Sequence, residues 1–281
     1  MANLLTGKEV VDTIRIDITE RVKQLKQRGI QVCLALVRMG ENPDDLSYES
    51  TAIKQAESHG ITIKSYILDA SAPQEKINAL VGAINEDNSI HGCLMFRPLP
   101  KHINEQEVCD LLAAQKDIDG ISLGSLAAVF TDDVGFAPCT APACLALLDH
   151  YDVSLEGKHV VVIGRSLVVG KPLSMMLLHR NATVTICHSK TKNLQEVCRQ
   201  ADIVICATGK AKYYNHRYFR SGQTVIDVGI NFDSEGNICG DVDFDEVEPI
   251  VDAITPVPRG IGSVTTSILM LNTVKAAEQS P

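Results

Sequence analysis

Residues 160–172 read VVVIGRSLVVGKP, and this stretch decides the fold. Residues 160–163 are four consecutive apolar β-formers, the signature of a strand buried on both faces. Gly164 breaks the run, and Gly170 and Pro172 open an apolar, helix-spaced stretch reaching Leu178. Strand, glycine-bearing turn and helix start form the geometry in which backbone N–H groups and a helix dipole meet a phosphate. The spacing is not G-x-G-x-x-G, because Arg165 and Ser166 stand where that fingerprint continues. A βα turn with glycines is often only a turn, so this stretch alone leaves dinucleotide binding open.

The next strand narrows the choice. Residues 182–187 (ATVTIC) are followed by His188, Ser189 and Lys190. In an NAD-type unit an Asp or Glu about 20 residues after the glycines takes the ribose hydroxyls. No acid stands there. A carboxylate repels a ribose phosphate, whereas Arg165, Ser189 and Lys190 can hold one. The pattern favours NADP over NAD, and the plainer alternative is a polar loop after a strand.

Composition excludes several classes. The 281 residues are enough for one large or two medium domains with substantial cores. A net charge of −9 argues against a general nucleic-acid surface. Nowhere does an apolar run approach the ~20 residues of a membrane span. The opening MANLLTGKEV lacks the basic-then-apolar form of a signal peptide. The nine cysteines include no C-x-x-C pair, and several lie in apolar strands (Cys33, Cys93, Cys187, Cys206). They read as reduced core thiols, not as a disulfide framework or a metal site, and point to the cytosol.

From the N-terminus, Thr6 and Glu9 have capping-box spacing, and Val11, Ile14, Ile18, Val22 and Leu25 form a helical stripe ended by Gly29. Strands are expected at 32–37, 61–68 and 91–96, with helices from the Asn42-Pro43 turn to His59, from Pro73 to Ile84 and over 105–114. The alternation implies a parallel sheet covered by helices. A linker is expected to about Gly135, then a helix over 141–150. Further buried strands at 203–207 and 224–228 end in glycine turns, Thr208-Gly209 and Gly229, where open α/β sheets bind ligands. Residues 265–277 close the chain as a helix.

Several motifs in order carry a resemblance: Gly164-Arg165-Ser166 with Val169-Gly170-Lys171-Pro172, His188-Ser189-Lys190-Thr191, Lys116-Asp117-Ile118-Asp119-Gly120, Asp227-Val228-Gly229-Ile230-Asn231, and Thr255-Pro256-Val257-Pro258. Over nearly its full length the chain resembles the bifunctional methylenetetrahydrofolate dehydrogenase/cyclohydrolase (FolD) family. The resemblance implies two α/β domains flanking a cleft. The first is a folate-binding and catalytic domain over 1–135. The second is a Rossmann-like NADP-binding domain with a parallel sheet over 136–264. Helix 265–281 returns to the first. It also implies a homodimer, tetrahydrofolate one-carbon derivatives as ligands, a place in purine biosynthesis, and NADP-dependent oxidation of methylenetetrahydrofolate followed by hydrolysis to formyltetrahydrofolate.

Carried over residue by residue, the resemblance places the cofactor at Gly164, Arg165, Ser166, His188, Ser189, Thr208, Gly209, Gly229 and Ile230. It matches the family's catalytic lysine to Lys54 and its folate-binding aspartate to Asp119. The folate side departs from the family. A tyrosine is usual one helical turn before the lysine, where this chain has Ser50, while Tyr48 lies six residues before Lys54 and off its helical face. The glutamine usual before Pro-Leu-Pro is Arg97, and Arg259 and Ser263 replace glycine and proline. Lys54 is the expected proton carrier for hydrolysis, with Arg97 lowering its affinity for a proton or else pairing with a nearby acid or the anionic folate tail. Without the resemblance, a lysine on an amphipathic helix is usually a solvated surface residue, and an aspartate before glycine a turn residue. Two alternatives stand beside the bifunctional reading: a dehydrogenase with weakened or lost hydrolysis, and a non-catalytic NADP-binding protein.

Overall fold

The structure is a computed structural model that describes residues 1–132 and 135–280. In chain order the elements begin β1 (Asn3–Leu4), α1 (Gly7–Gln27), β2 (Cys33–Met39), α2 (Pro43–Ser58), β3 (Thr62–Leu68), α3 (Gln74–Glu86), β4 (Gly92–Met95), α4 (Glu105–Leu111) and α5 (Leu123–Thr131). They continue α6 (Thr140–His150), β5 (His159–Ile163), α7 (Gly170–His179), β6 (Thr183–Cys187), α8 (Leu194–Gln200), β7 (Ile203–Cys206) and β8 (Thr224–Asp227). The last are β9 (Asn231–Phe232), β10 (Ile238–Cys239), α9 (Phe244–Val247), β11 (Ala253–Ile254) and α10 (Ile261–Gln279). The chain divides into two units, Met1–Asp12 with Thr140–Thr265, and Thr13–Cys139 with the chain from Thr266 onward.

The second of these units holds the parallel sheet β3-β2-β4. Central β2 is buried along its whole length, as its apolar run CLALVRM requires of a strand covered on both faces. Its one charge, Arg38, donates to Glu49 of α2 at 2.7 Å, the pairing that a buried guanidinium needs. Around Cys93 and Met95 of β4, Ile77 and Val81 of α3 and Val108 of α4 complete a continuous core.

The other unit holds the six-stranded sheet β1-β11-β8-β7-β5-β6, all of it parallel. Val160 to Ile163 are at most 1 % exposed, and they form β5, an interior strand of this sheet. The C-terminal ends of β5, β6, β7 and β8 carry the loops that position the site. All nine cysteines are free and buried.

Three expectations need correction. The stretch to Gly135 is not a plain linker: α5 occupies Leu123–Thr131, with Ser122 accepting the Ser125 N–H at 3.2 Å as its cap. Its apolar LGSLAAVF gives no polar stripe for periodicity to find, and residues 133 and 134 of that stretch lie outside the described residues. The first residues do not go with β2–β4, because β1 pairs with β11 (Asn3 with Ala253) and residues 1–12 join the β5–β8 unit. Finally, α10 starts at Ile261, four residues before the expected helix.

Candidate active site

The cofactor-side residues stand on loops pinned by backbone. Gly164 has φ +134, and a Cβ there would lie 2.3 Å from the Ala207 carbonyl oxygen. A Cβ on Gly170 would lie 2.2 Å from the Gly164 carbonyl oxygen. Only glycine lets the turn close this tightly. The turn is further fixed by Ser166, whose Oγ accepts the Val169 N–H at 3.1 Å and whose carbonyl accepts the Lys171 N–H at 3.0 Å. Arg165 and Ser166 are exposed, and Arg165 has no ion-pair partner among the described residues.

The Gly164 N–H donates to the Cys187 carbonyl at 2.9 Å and so keeps the end of β6 alongside the turn. His188 there is half-buried, its N–H given to Thr191 and its Nδ1 accepting the Lys190 N–H at 3.1 Å. Ser189 and Lys190 are exposed, and residues 188–193 (HSKTKN) carry no acid. Two cations and two hydroxyls around a glycine-tight turn fit a dinucleotide with a ribose phosphate.

The loops after β7 and β8 carry Thr208, Gly209, Gly229 and Ile230. Ile230 is 64 % exposed on the wall of a cavity of about 690 Å³ that Gly229 and Asp227 also line. Two buried aspartates, Asp227 and Asp241, brace these loops. Asp241 accepts the N–H groups of Thr208 (2.5 Å), Gly209 (3.1 Å) and Lys210 (2.9 Å), the Thr208 hydroxyl (3.0 Å) and the Asn231 amide (2.9 Å). Asp227 accepts the N–H groups of Gly229, Asp241 and Val242 at 2.9–3.0 Å. Burial pushes the Asp227 carboxyl up to about 7, against those N–H donors.

On the folate side, Asp119 follows Lys116-Asp117-Ile118 at the entrance to α5. Asp117, fully buried, shapes that entrance by accepting the Ile121 and Ser122 N–H groups at 2.9 Å and the Ser125 hydroxyl at 2.6 Å. Gly120 has φ +60, and a Cβ there would lie 2.5 Å from the Pro138 nitrogen, so the turn packs directly on residues 136–138. Asp119 is half-buried. Burial raises its carboxyl above the ordinary value, opposed by hydrogen bonding from Cys139 and by the charge of Arg97. The Cys139 thiol donates to the Ile118 carbonyl at 3.3 Å, and Asn272 of α10 donates to the same carbonyl at 2.9 Å.

The structure brings Tyr48, Arg97 and Asp119 together, while Ser50 and Lys54 are exposed on α2. The Tyr48 ring meets Phe96 edge-on at 6.1 Å, and its hydroxyl bonds Thr266. Burial, and next the charge of Asp119, raise its phenol well above the ordinary value. Arg97 reaches Glu105 at 3.6 Å, while Glu105 also accepts the Leu99 N–H at 2.7 Å. Of the two expected roles for Arg97, it takes the pairing with an acid.

Ser47, Ser50, Thr51, Lys54, Glu57 and Ser58 are all exposed and form one continuous solvent face of α2. The turn-spaced pair Ser50–Lys54 therefore lies on the outside of the helix. One turn beyond Tyr48 the residue is Ala52, which is 0 % exposed. Spacing from the tyrosine that actually faces Asp119 thus leads to Ala52 rather than to Lys54. Phe96, Cys139 and Thr266 carried no motif that could have found them.

Comparison with known proteins identifies the family. The model of the tetrahydrofolate dehydrogenase/cyclohydrolase catalytic domain matches residues 5–119, and that of its NAD(P)-binding domain matches residues 138–281. The chain is 52 % identical to the bifunctional protein FolD of Carboxydothermus hydrogenoformans, over 99 % of this chain and 98 % of that protein. It is similar to the crystal structure of the bifunctional enzyme FolD, methylenetetrahydrofolate dehydrogenase/cyclohydrolase, from Campylobacter jejuni (TM-score 0.97, 39 % identity, 99 % of each chain). The methylenetetrahydrofolate dehydrogenase-cyclohydrolase (FolD) of Trypanosoma brucei, solved with NADP cofactor and inhibitor, superposes with a TM-score of 0.93 at 32 % identity, over 99 % of this chain and 98 % of that one. With both domain models in order and half the residues shared with a full-length relative, the chain belongs to the tetrahydrofolate dehydrogenase/cyclohydrolase family.

Proposed function

We infer that the protein oxidises methylenetetrahydrofolate to the methenyl cation with NADP and hydrolyses the cation to formyltetrahydrofolate. The observation that carries this is the joint presence of the acid-free, cationic turn at Arg165 and Ser189 and the Asp119 cluster in a chain of this family. The unit containing β5–β8 is assigned to the cofactor and the unit containing β2–β4 to folate. Arg165, Ser166, Ser189 and Lys190 offer donors to the ribose phosphate and pyrophosphate, with His188 holding the Lys190 backbone. Thr208, Gly209, Gly229 and Ile230 form the far wall. When bound, NADP supplies the hydride acceptor.

Asp119 is assigned to accept hydrogen bonds from pterin N–H groups, and its position is set by Cys139. Tyr48 is assigned to pack against the folate ring, held by Phe96 and Thr266. Hydride transfer needs this positioning and little side-chain acid–base chemistry. Hydrolysis differs, because water must be activated and protons moved.

One observation favours a second reading, a dehydrogenase with a weakened hydrolytic step. The face of α2 that carries Tyr48 continues with Ala52, and the amine of Lys54 is on the solvent face. NADPH formation from methylenetetrahydrofolate, followed spectrophotometrically with purified protein, tests both readings against the non-catalytic alternative. Oxidation with a strong preference for NADP is expected, and no NADPH formation would overturn the assignment.

A homodimer is proposed as well. Edge strand β3 leaves Ile67 57 % exposed, the kind of surface a second copy covers. The proposed location is the cytosol, and the proposed use of the product is purine biosynthesis. None of the described helices is long and apolar enough to cross a membrane.

A further inference from the structure

We propose that Asp227 and Asp241 act together as the positioning residues of the NADP site, setting the shape of the loops after β7 and β8 through one buried, interlocked carboxylate pair. The inference rests on the assignment of those loops to the cofactor. Five donors converge on Asp241, four from the Thr208–Gly209–Lys210 turn and one from Asn231. Asp241 is itself held in place, because its N–H and that of Val242 donate to Asp227. Asp227 is tied back to β11 and its exit, since the Thr255 hydroxyl accepts the Asp227 N–H at 2.7 Å. The loop after β7 is thus located by a residue more than thirty positions later, through the loop after β8.

The packing leaves no slack. A Cβ on Gly229 would lie 2.2 Å from Asp241 Oδ1, and one on Gly240 would lie 1.9 Å from Asp227 Oδ2. Both carboxylates sit where only glycine backbone admits them. Of the exposed groups offered to the dinucleotide, Gly209 donates its own N–H to Asp241 at 3.1 Å, and Ile230 follows Gly229, whose N–H donates to Asp227 at 3.0 Å. Their placement comes from this brace.

The brace is also linked to protons. Asp227 is 3 % exposed and titrates near neutrality. The titratable groups packed against it are Asp241 and the thiols of Cys206 and Cys239, both raised by burial and so neutral there, and the cavities it lines also carry Lys8, Arg259, Lys212, Asp233 and Asp245. Protonating Asp227 converts one acceptor oxygen to a hydroxyl and leaves fewer lone pairs for its three N–H donors. The Asp241 backbone then loses part of its anchor, and the cofactor loops slacken as pH falls through about 7.

Titration of NADPH fluorescence tests this without turnover. Asp241→Asn, which keeps size but not the charge-assisted bonds, is expected to raise the NADPH Kd about tenfold or more. Folate affinity is expected to change less than twofold. Asn231→Ala removes a single donor and should give a smaller rise of about threefold, which keeps the test usable if the first variant does not fold. Wild-type Kd should rise as pH falls from 8 to 6 by more than in Asp227→Asn, whose residue 227 cannot titrate. An NADPH Kd within twofold of wild type in both Asp241→Asn and Asn231→Ala would overturn the proposal. So would equal pH dependence in wild type and Asp227→Asn. Wild-type protein that binds no NADPH at any pH would instead overturn the cofactor assignment.

Discussion

The cofactor-side residues of one unit and the folate-side residues of the other are held by different means. Around β5 and β8 the loops are fixed by glycine contacts, backbone hydrogen bonds and two buried aspartates, and the side chains offered outward, Arg165, Ser189 and Ile230, project from that frame. Around β4 each polar side chain is tied to another side chain or to a neighbouring backbone group: Tyr48 to Thr266, Arg97 to Glu105, Asp119 to Cys139. A backbone-held site keeps its geometry when a surface residue changes. A side-chain-held site is rewired by a single substitution. The cofactor half therefore depends least on any one surface side chain, and chemistry that depends on side-chain protons is the exposed risk of the other.

The largest expected effect lies on the folate side. Asp119→Ala should lower kcat/KM for methylenetetrahydrofolate on the order of 10²-fold, the cost of losing charge-assisted bonds to a buried partner. NADPH affinity, measured by fluorescence titration, should stay within twofold. If both fall together, the two halves are not separable as described.

On the cofactor side, Arg165→Ala should cut the NADP specificity constant roughly 10- to 100-fold and leave that for NAD within a few-fold, since only the phosphate contact is lost. A wild type that uses NAD and NADP equally would break the comparison at its stronger end.

The smallest effect is expected at Lys54. Lys54→Met should change both oxidation and hydrolysis by less than about twofold, as surface substitutions away from a site do. A fall of 10² in hydrolysis, the scale of a lost general acid–base, would restore Lys54 as the proton carrier and require α2 to present its other face to folate.

Much of this was legible in the sequence, for reasons that also mark the limit. The run at 160–163 and the glycines at 164 and 170 state backbone requirements, and a backbone requirement is met in one way. The absence of an acid after β6 works the same way, because charge type is local. Lys54 shows where this stops. A motif carried over by counting from a lysine gave Ser50 as its turn-mate, and that pair is solvent-facing; only the burial of Ala52 and the contact of Tyr48 with Phe96 show which helical face matters. Helix α5 was missed because an apolar helix has no polar stripe, and the Asp227–Asp241 brace because its partners are far apart in sequence.

The most direct test of the account is hydrolysis of methenyltetrahydrofolate, supplied as substrate and followed by loss of its absorbance, set against the rate of NADPH formation from methylenetetrahydrofolate by the same protein. If the second reading holds, with no amine on the Tyr48 face of α2, hydrolysis is slower than oxidation by at least about 10²-fold and methenyltetrahydrofolate accumulates while NADPH forms. Hydrolysis as fast as oxidation, with no accumulation of the methenyl form, would contradict the second reading and bear out the bifunctional one.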